Sequence, residues 1–143
     1  MRVVKVRTGV VLAEKGGALA RMTPIFRWYL GGVVGSGRQW MSWIHLDDLA
    51  GLLVYALAHP VCGALNGTAP HPATNAEFTR TLAAAMGRPA MFPVPAFALR
   101  AAFGEMAQVL LASQRAIPEA ARRAGFAFRY PELEHALRNV LRS

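Results

Sequence analysis

The side chains best suited to binding or catalysis are concentrated between Gly35 and Leu49. The polar and aromatic members of this stretch are Arg38, Gln39, Trp40, Trp43, His45, Asp47 and Asp48. On ligand type alone, the histidine and the two aspartates could bind a metal ion. An arrangement commoner than a metal site is a histidine at the end of a strand followed by an aspartate that caps the next helix. A carboxylate at the N-cap accepts hydrogen bonds from the free amide hydrogens of the first helical turn. The sequence therefore predicts no metal site and an N-cap at Asp47 or Asp48.

The sequence contains none of the common motifs that supply complete redox or hydrolytic chemistry. A dinucleotide site needs a glycine-rich turn between a strand and a helix, whereas Gly32–Gly37 lies between a helix and a strand. None of the three tyrosines is followed four residues later by the lysine of a Tyr-x-x-x-Lys proton-transfer pair. Ser36 and Ser42 lie in no nucleophile elbow. No catalytic residue is predicted.

The elements around this stretch alternate between strands and helices. β-Branched residues predict a strand over Arg2–Arg7, and Thr8-Gly9 marks its end or a bulge. Apolar residues at helical spacing predict helices on both sides of the stretch. Val10–Leu12 continues the apolar character of this segment. The further elements predicted in this half are a helix from Leu19 to Tyr29 that Pro24 kinks or splits, a strand at Trp43–Leu46, a helix at Leu49–Leu57 and a strand at Gly63–Thr68.

Helices dominate the second half of the sequence. Thr74 and Glu77 have the spacing of a capping box, and Gly87 stands where a helix-terminating glycine would. The further predictions are a helical stripe from Leu99 to Leu110 broken at Gly104, a helix with Pro118 at its first position, a strand or extended arm at Phe126–Tyr130 and a last helix from Pro131. The predicted class is α/β, with an α-rich C-terminal part.

Composition and charge restrict the class of protein. A chain of 143 residues with 54% hydrophobic residues can form one packed domain or part of a larger one. The net charge of +8 comes from basic residues scattered along the chain, which predicts a solvated basic surface and no nucleic-acid partner. Anion or nucleic-acid binding through this charge is the weaker alternative.

Cysteine usage and hydropathy point to the cytoplasm. Cys62 is the only cysteine, so an intrachain disulfide and a CxxC metal pair are excluded. The segment Met1–Arg7 lacks the apolar core of a signal peptide. The longest apolar stretch, Pro95–Ala112, is interrupted by Arg100 and Glu105, so no membrane span is expected.

Several short motifs together resemble one known family. They are Arg7–Leu12 (RTGVVL), Gly16–Leu19 (GGAL), Gly35–Asp48 (GSGRQWMSWIHLDD), Thr74–Phe78 (TNAEF), Pro93–Pro95 (PVP), Gly104–Met106 (GEM), Ala112–Arg115 (ASQR) and Gly125–Pro131 (GFAFRYP). In this order, they resemble the C-terminal half of NAD-dependent epimerase/dehydratase-like extended short-chain dehydrogenase/reductases. The most similar subgroup is sugar-nucleotide-epimerase-like and ends in a small domain of unknown function. Each motif alone is weak, but the ordered set is specific.

The resemblance implies a particular organisation. Residues 1–68 would be the last strands and helices of a Rossmann-like parallel sheet of about three strands, and residues 69–143 an α-rich subdomain on the substrate side. Family members carry the glycine-rich cofactor turn and the Tyr-x-x-x-Lys pair in an N-terminal half that this sequence lacks. NAD or NADP is therefore the implied cofactor, and none is expected to bind this chain alone.

The resemblance also implies site residues. The loop after the first strand passes beside the nicotinamide in the family, which corresponds to Thr8, Gly9 and Val10. The segment before the Trp-Ile-His strand helps to form the substrate pocket, which corresponds to Arg38, Gln39, Trp40 and Met41. Relatives acting on nucleotide sugars have a diphosphate-binding arginine at the position of Met41. This departure argues against a nucleotide-sugar substrate, although Arg38 could reach the same region. Trp40 is either a pocket wall that stacks on a ring or a partly buried anchor, and Trp43 is expected in the core.

Two functions of different classes follow. The first is the substrate-binding portion of an NAD(P)-dependent epimerase/dehydratase-like oxidoreductase, inactive without its cofactor-binding half. The second is a non-enzymatic interaction module, because strands that normally continue a sheet would expose an edge and an apolar face. Such a face would bind a partner chain, such as a Rossmann half, or a second copy of itself. Whether the chain is an enzyme, and on which small molecule, stays open at this stage.

Overall fold

The computed structural model describes residues 3–13, 17–27, 32–33, 36–88, 96–105, 108 and 115–142. The strands are β1 (Val4–Thr8), β2 (Val10–Leu12), β3 (Trp40–Met41), β4 (Trp43–His45), β5 (Gly63–Gly67) and β6 (Ala73–Thr74). The helices are α1 (Gly17–Arg27), α2 (Leu46–Ala58), α3 (Asn75–Met86), α4 (Ala96–Phe103), α5 (Glu119–Arg123) and α6 (Leu133–Arg142). The predicted α/β class is confirmed. The PVP motif, Met106 of the GEM motif and the first three residues of the ASQR motif lie outside the described residues.

The extended chain from Val4 to Leu12 changes its pairing partner at Gly9. Before this residue, β1 runs parallel to β5, and after it β2 runs parallel to β4. The Gly9 N–H still donates to the Gly67 carbonyl at 3.2 Å, whereas the next N–H donates to the Ser42 carbonyl at 2.7 Å. A Cβ on Gly9 would lie 2.4 Å from that Ser42 oxygen. The predicted break at Thr8-Gly9 is therefore a change of strand partner, and close backbone contact requires glycine there.

The N-cap of α2 differs from the prediction. His45 is the N-cap, and its Nδ1 accepts a hydrogen bond from the Asp47 N–H at 3.0 Å. The predicted cap at Asp47 or Asp48 is wrong because both residues lie inside the first turn. The Asp48 carboxylate, only 1% exposed, instead accepts from the backbone N–H groups of Arg129 and Tyr130. A distant segment therefore occupies the carboxylate that sequence reasoning assigned to the helix end.

The ends of α3 agree with the sequence. The Thr74 hydroxyl accepts from the Glu77 N–H, and the Glu77 carboxylate accepts from the Thr74 N–H, both at 3.2 Å. Gly87 ends the helix in the left-handed conformation with φ 66°. The capping box and the terminating glycine are both confirmed. They were predictable because all the atoms involved lie within one or two turns of each other.

The larger core lies between β2–β4 and three helices. Its largest members come from β2, α1, β4, α3 and α6: Leu12, Leu19, Phe26, Trp43, Phe78, Leu82 and Leu137. A smaller core joins Leu52 and Ala56 of α2 to Leu65 of β5 and Ala121 of α5. The expectation that Trp43 is a core residue is confirmed. The larger core draws on residues from both sides of position 68, and the division into 1–68 and 69–143 stays a prediction.

The C-terminal arm, residues 126–130, is irregular rather than a strand. Its last ring, that of Tyr130, stacks on His45 with centroids 3.9 Å apart. The His45 Nε2 lies 2.9 Å from the Asn139 Oδ1 of α6. Together with Asp48, these contacts bind the arm and the last helix to the β4–α2 junction.

Within the described ranges, every helix is too short or too polar to cross a membrane.

Candidate functional site

A cleft of about 510 Å³ opens at the carboxyl ends of β1 and β5. Arg7, Thr8 and Gly9 line it from β1 and the residue that follows, and Asn66 and Thr68 line it from the end of β5. These two strands are parallel, so their carboxyl ends meet at one edge of the sheet. In open α/β sheets, ligands bind at this edge, where neighbouring strands diverge. The change of partner at Gly9 creates that divergence here.

The opposite wall of the cleft is the segment 115–118, which has no regular secondary structure. Three side chains hold its backbone. Ser42 Oγ accepts from the Ala116 N–H at 2.9 Å, and Thr68 Oγ1 donates to the Ala116 carbonyl at 3.3 Å. Asn66 Nδ2 donates to the Ile117 carbonyl at 3.1 Å. An irregular segment must find partners for its backbone polar groups, and here polar side chains from the end of the sheet supply them.

Sequence reasoning missed Asn66 and Thr68, and considered Ser42 only as a nucleophile. The available signal was weak: a strand ending Asn66-Gly67-Thr68 carries polar residues where a parallel strand enters its site. Their partners lie 48 to 74 residues away along the chain, however, so no local pattern predicts the contact.

Positive charge dominates the ionisable lining of the cleft. Arg7, Arg115 and Arg123 line it together with one carboxylate, that of Glu119. Arg123 and Glu119 form an exposed i,i+4 pair at 2.9 Å. The Arg115 guanidinium lies over the Trp40 ring, 5.1 Å from its centroid, in a cation–π contact. The cleft can therefore attract a ligand that carries negative charge.

The residues predicted to lie beside a nicotinamide divide into two groups. Thr8 and Gly9 line the cleft. Val10 is half-buried and packs against the larger core. The lack of a side chain at Gly9 is explained by the Ser42 backbone, which occupies the place of a Cβ.

None of the four residues predicted to bind substrate lines the cleft. Arg38 is exposed, and the Gln39 carbonyl accepts from the Asn75 N–H at 2.9 Å. Met41 is 3% exposed, and its sulfur accepts from Asn75 Nδ2 at 3.6 Å. Half-buried Trp40 contacts Arg115 and so connects this group to the cleft wall. Their role in binding stays a prediction.

The His45 imidazole has structural partners on both ring nitrogens. Nδ1 accepts from the Asp47 N–H, so Nε2 carries the proton that Asn139 accepts. Across the described part of the chain, no three His, Cys, Asp or Glu side chains come together as a metal site would require.

Comparisons with known proteins identify relatives of this chain. A family model for a domain of unknown function (DUF1731) matches residues 94–140. The mouse epimerase family protein SDR39U1 is 51% identical over 142 residues, which cover 98% of this chain and 48% of the relative. A chloroplastic SDR39U1 homologue of Arabidopsis thaliana is 46% identical over 142 residues, 99% of this chain and 41% of that protein.

The structural comparison gives the same result. The crystal structure of human SDR39U1 with NADPH has a TM-score of 0.92 to this chain at 47% identity, covering 99% of this chain and 49% of the human one. The fold of this chain thus matches part of a short-chain dehydrogenase/reductase-type α/β fold. Within that class, the chain is homologous to the C-terminal half of epimerase family proteins. It spans about half the length of the curated relatives it matches.

Proposed function

We propose that this chain is the substrate-side portion of an NAD(P)-dependent epimerase-like oxidoreductase, and that it needs a cofactor-binding half for activity. The observation that carries the proposal is the cleft at the carboxyl ends of β1 and β5, with Thr8 and Gly9 on one wall. In a parallel α/β sheet this edge is the usual place for a cofactor and its substrate. The homology to epimerase family proteins supports the same assignment.

The described residues fit one wall of a cofactor site. Thr8 and Gly9 lie on the cleft lining, where a nicotinamide would contact them, and the human relative was crystallised with NADPH. The sequence contains no G-x-G-x-x-G or G-x-x-G-x-x-G motif, the glycine-rich turn that binds a pyrophosphate between a strand and a helix. A bound nicotinamide would supply hydride transfer, and this chain would orient the substrate against it. We therefore expect no cofactor binding by the chain alone.

An apolar surface on β1 and α2 is the proposed docking place for the cofactor-binding half. A shallow groove of about 260 Å³ is lined by Val4 and Val6 of β1 and by Leu53, Ala56 and Leu57 of α2. Leu57 is 80% exposed, and Val54 beside it is also exposed. Among the described strands, β1 pairs only with β5, so its other edge is open to a further strand. A Rossmann half would cover both the edge and the groove.

Titration with NADPH tests this function. The ligand is titrated by calorimetry into the chain alone and into a fusion that places the N-terminal half of the mouse relative before Met1. We expect no heat of binding from the chain alone and a micromolar site in the fusion. Micromolar binding by the chain alone would contradict the proposal, as would a folded fusion that does not bind.

The same apolar groove supports a second candidate, a self-associating or partner-binding module without catalysis. Light scattering coupled to size exclusion separates the two functions. A stable homodimer that persists in the fusion would favour the module. A chain that dimerises alone but is monomeric in the fusion would favour the half-enzyme.

We place either form in the cytoplasm, a proposal supported by the single cysteine, Cys62, whose thiol is free and exposed.

A further inference from the structure

The positive side of the cleft is built on a firmly held wall. Arg115 begins the segment 115–118, whose next residue, Ala116, is bound through its N–H by Ser42 and through its carbonyl by Thr68. The Arg115 guanidinium rests over the Trp40 ring at 5.1 Å. The backbone next to Arg115 is therefore held by hydrogen bonds, and its head group contacts an aromatic ring, which lowers the entropy lost when a ligand immobilises the side chain.

Two of the three cleft arginines have no acidic partner within the described residues. The ion pairs found there involve His45, His71, Arg123 and Arg138, but neither Arg7 nor Arg115. Arg123 is held by Glu119, the one carboxylate in the described lining. A guanidinium offers a planar set of donors that matches a phosphate or carboxylate, and it attracts such groups more strongly inside a cleft than on an open surface.

We propose that the cleft binds an oxyanion, a phosphate or carboxylate group of a small molecule, between Arg7 and Arg115. Asn66 and Thr68 lie at the end of the neighbouring strand, on the same lining. That this oxyanion belongs to the substrate rests on the proposed function. The site differs from the diphosphate-binding arginine implied by resemblance to nucleotide-sugar epimerases, because that position is the buried Met41 here.

The arrangement also predicts one residue, Glu119, that weakens anion binding. Glu119 lies in the cleft lining and neutralises Arg123. Removing its charge would release Arg123 and take away a repulsive carboxylate. Substitution of Glu119 should therefore strengthen anion binding, whereas substitution of Arg7 or Arg115 should weaken it. A non-specific attraction to the +8 chain predicts the same small loss for every arginine removed.

The experiment is a calorimetric titration of the full chain at fixed ionic strength, with inorganic pyrophosphate in one arm and malonate in the other. The variants are Arg7→Gln, Arg115→Gln and Glu119→Gln, with Arg80→Gln as the matched control, since Arg80 is exposed on α3 and outside the cleft lining. Arg115→Lys keeps the charge but loses the planar donor set. Thermal unfolding of each variant shows that it is folded.

The expected result is one saturable site. Arg7→Gln and Arg115→Gln each weaken binding about tenfold, the loss of one charge-assisted interaction, with Arg115→Lys in between. Glu119→Gln strengthens binding about twofold to fivefold, and Arg80→Gln changes it less than about twofold. Whichever of the two probes, pyrophosphate or malonate, binds with the higher affinity identifies the oxyanion as phosphate-like or carboxylate-like. The proposal is overturned if neither probe saturates a site, if Arg80→Gln weakens binding as much as Arg115→Gln, or if Glu119→Gln weakens it.

These titrations use the chain alone and contain no nicotinamide. Loss of the oxyanion site would leave NADPH binding by the fusion intact. Conversely, a fusion that fails to bind NADPH would leave the oxyanion result standing but would remove its assignment to a redox substrate.

Discussion

The Asp48 carboxylate accepts a hydrogen bond from the backbone N–H of Tyr130 at 2.9 Å, across 82 residues of sequence. Its other oxygen accepts from the preceding amide, that of Arg129, at 2.8 Å. These two bonds fix the end of the C-terminal arm to the first turn of α2. The stacking of Tyr130 on His45 extends the same attachment. Asp48 is therefore the buried carboxylate through which the C-terminal arm is joined to α2.

Replacing Asp48 should destabilise the fold strongly. Asp48→Ala removes a buried acceptor and leaves two amide donors without their partner, so we expect a loss of about 3 kcal/mol in the free energy of unfolding. Asp47→Ala is the control, because the Asp47 side chain is 53% exposed. Its cost should be below about 1 kcal/mol. Urea denaturation measures both, and equal losses would contradict the assigned role of Asp48.

Two glycine substitutions should act in opposite directions. Gly9→Ala places a Cβ 2.4 Å from the Ser42 carbonyl oxygen, a backbone atom that cannot move away cheaply. We expect a destabilisation of about 2 to 4 kcal/mol. Gly51 lies inside α2, and a Cβ added there would contact only the ring of Phe126, at an ordinary distance of 3.6 Å. Removing a glycine from a helix interior should stabilise by about 0.5 to 1 kcal/mol. Thermal or urea unfolding decides the sign of each, and a neutral Gly9→Ala would refute the close strand contact.

Ser42 should control the order of the cleft wall. Ser42→Ala removes the acceptor of the Ala116 N–H, so this amide should exchange with solvent deuterium about tenfold faster, for a bond worth about 1 to 1.5 kcal/mol. The change should be confined to 115–118. Ser36→Ala is the control, because Ser36 is exposed and its hydroxyl only accepts from Arg38 N–H at 3.3 Å. Unaltered exchange at Ala116 in Ser42→Ala would show that other contacts hold the segment.

The apolar groove on β1 and α2 should matter for association with another chain and contribute little to the stability of the fold. Leu57→Asp places a charge on a side chain that is 80% exposed, so the free energy of unfolding should change by less than about 0.5 kcal/mol. Association with a separately expressed N-terminal half of the mouse relative, or with a second copy, should be lost. Phe97→Asp is the matched control, since Phe97 is equally apolar and exposed on α4. Light scattering measures the assembly, and equal association of both variants would place the docking surface elsewhere.

The sequence determined the features whose causes are local. The β-branched run around Val4, the capping box of Thr74 and Glu77 and the terminating Gly87 involve atoms within a few residues of each other, and all three are where the pattern indicated. Trp43 is buried, as expected from the sequence. The family resemblance also came from the sequence, because an ordered set of motifs does not depend on coordinates.

Only the tertiary structure decided where the polar side chains act. Asp48 has the sequence of a helix cap, yet Arg129 and Tyr130 hold its carboxylate, and the neighbouring His45 is the cap. Ser42, Asn66 and Thr68 appear unrelated along the chain, yet they bind one segment and build the cleft wall. A polar side chain can satisfy its hydrogen bonds locally or with any segment that folding brings within about 3 Å, and that choice depends on distant residues.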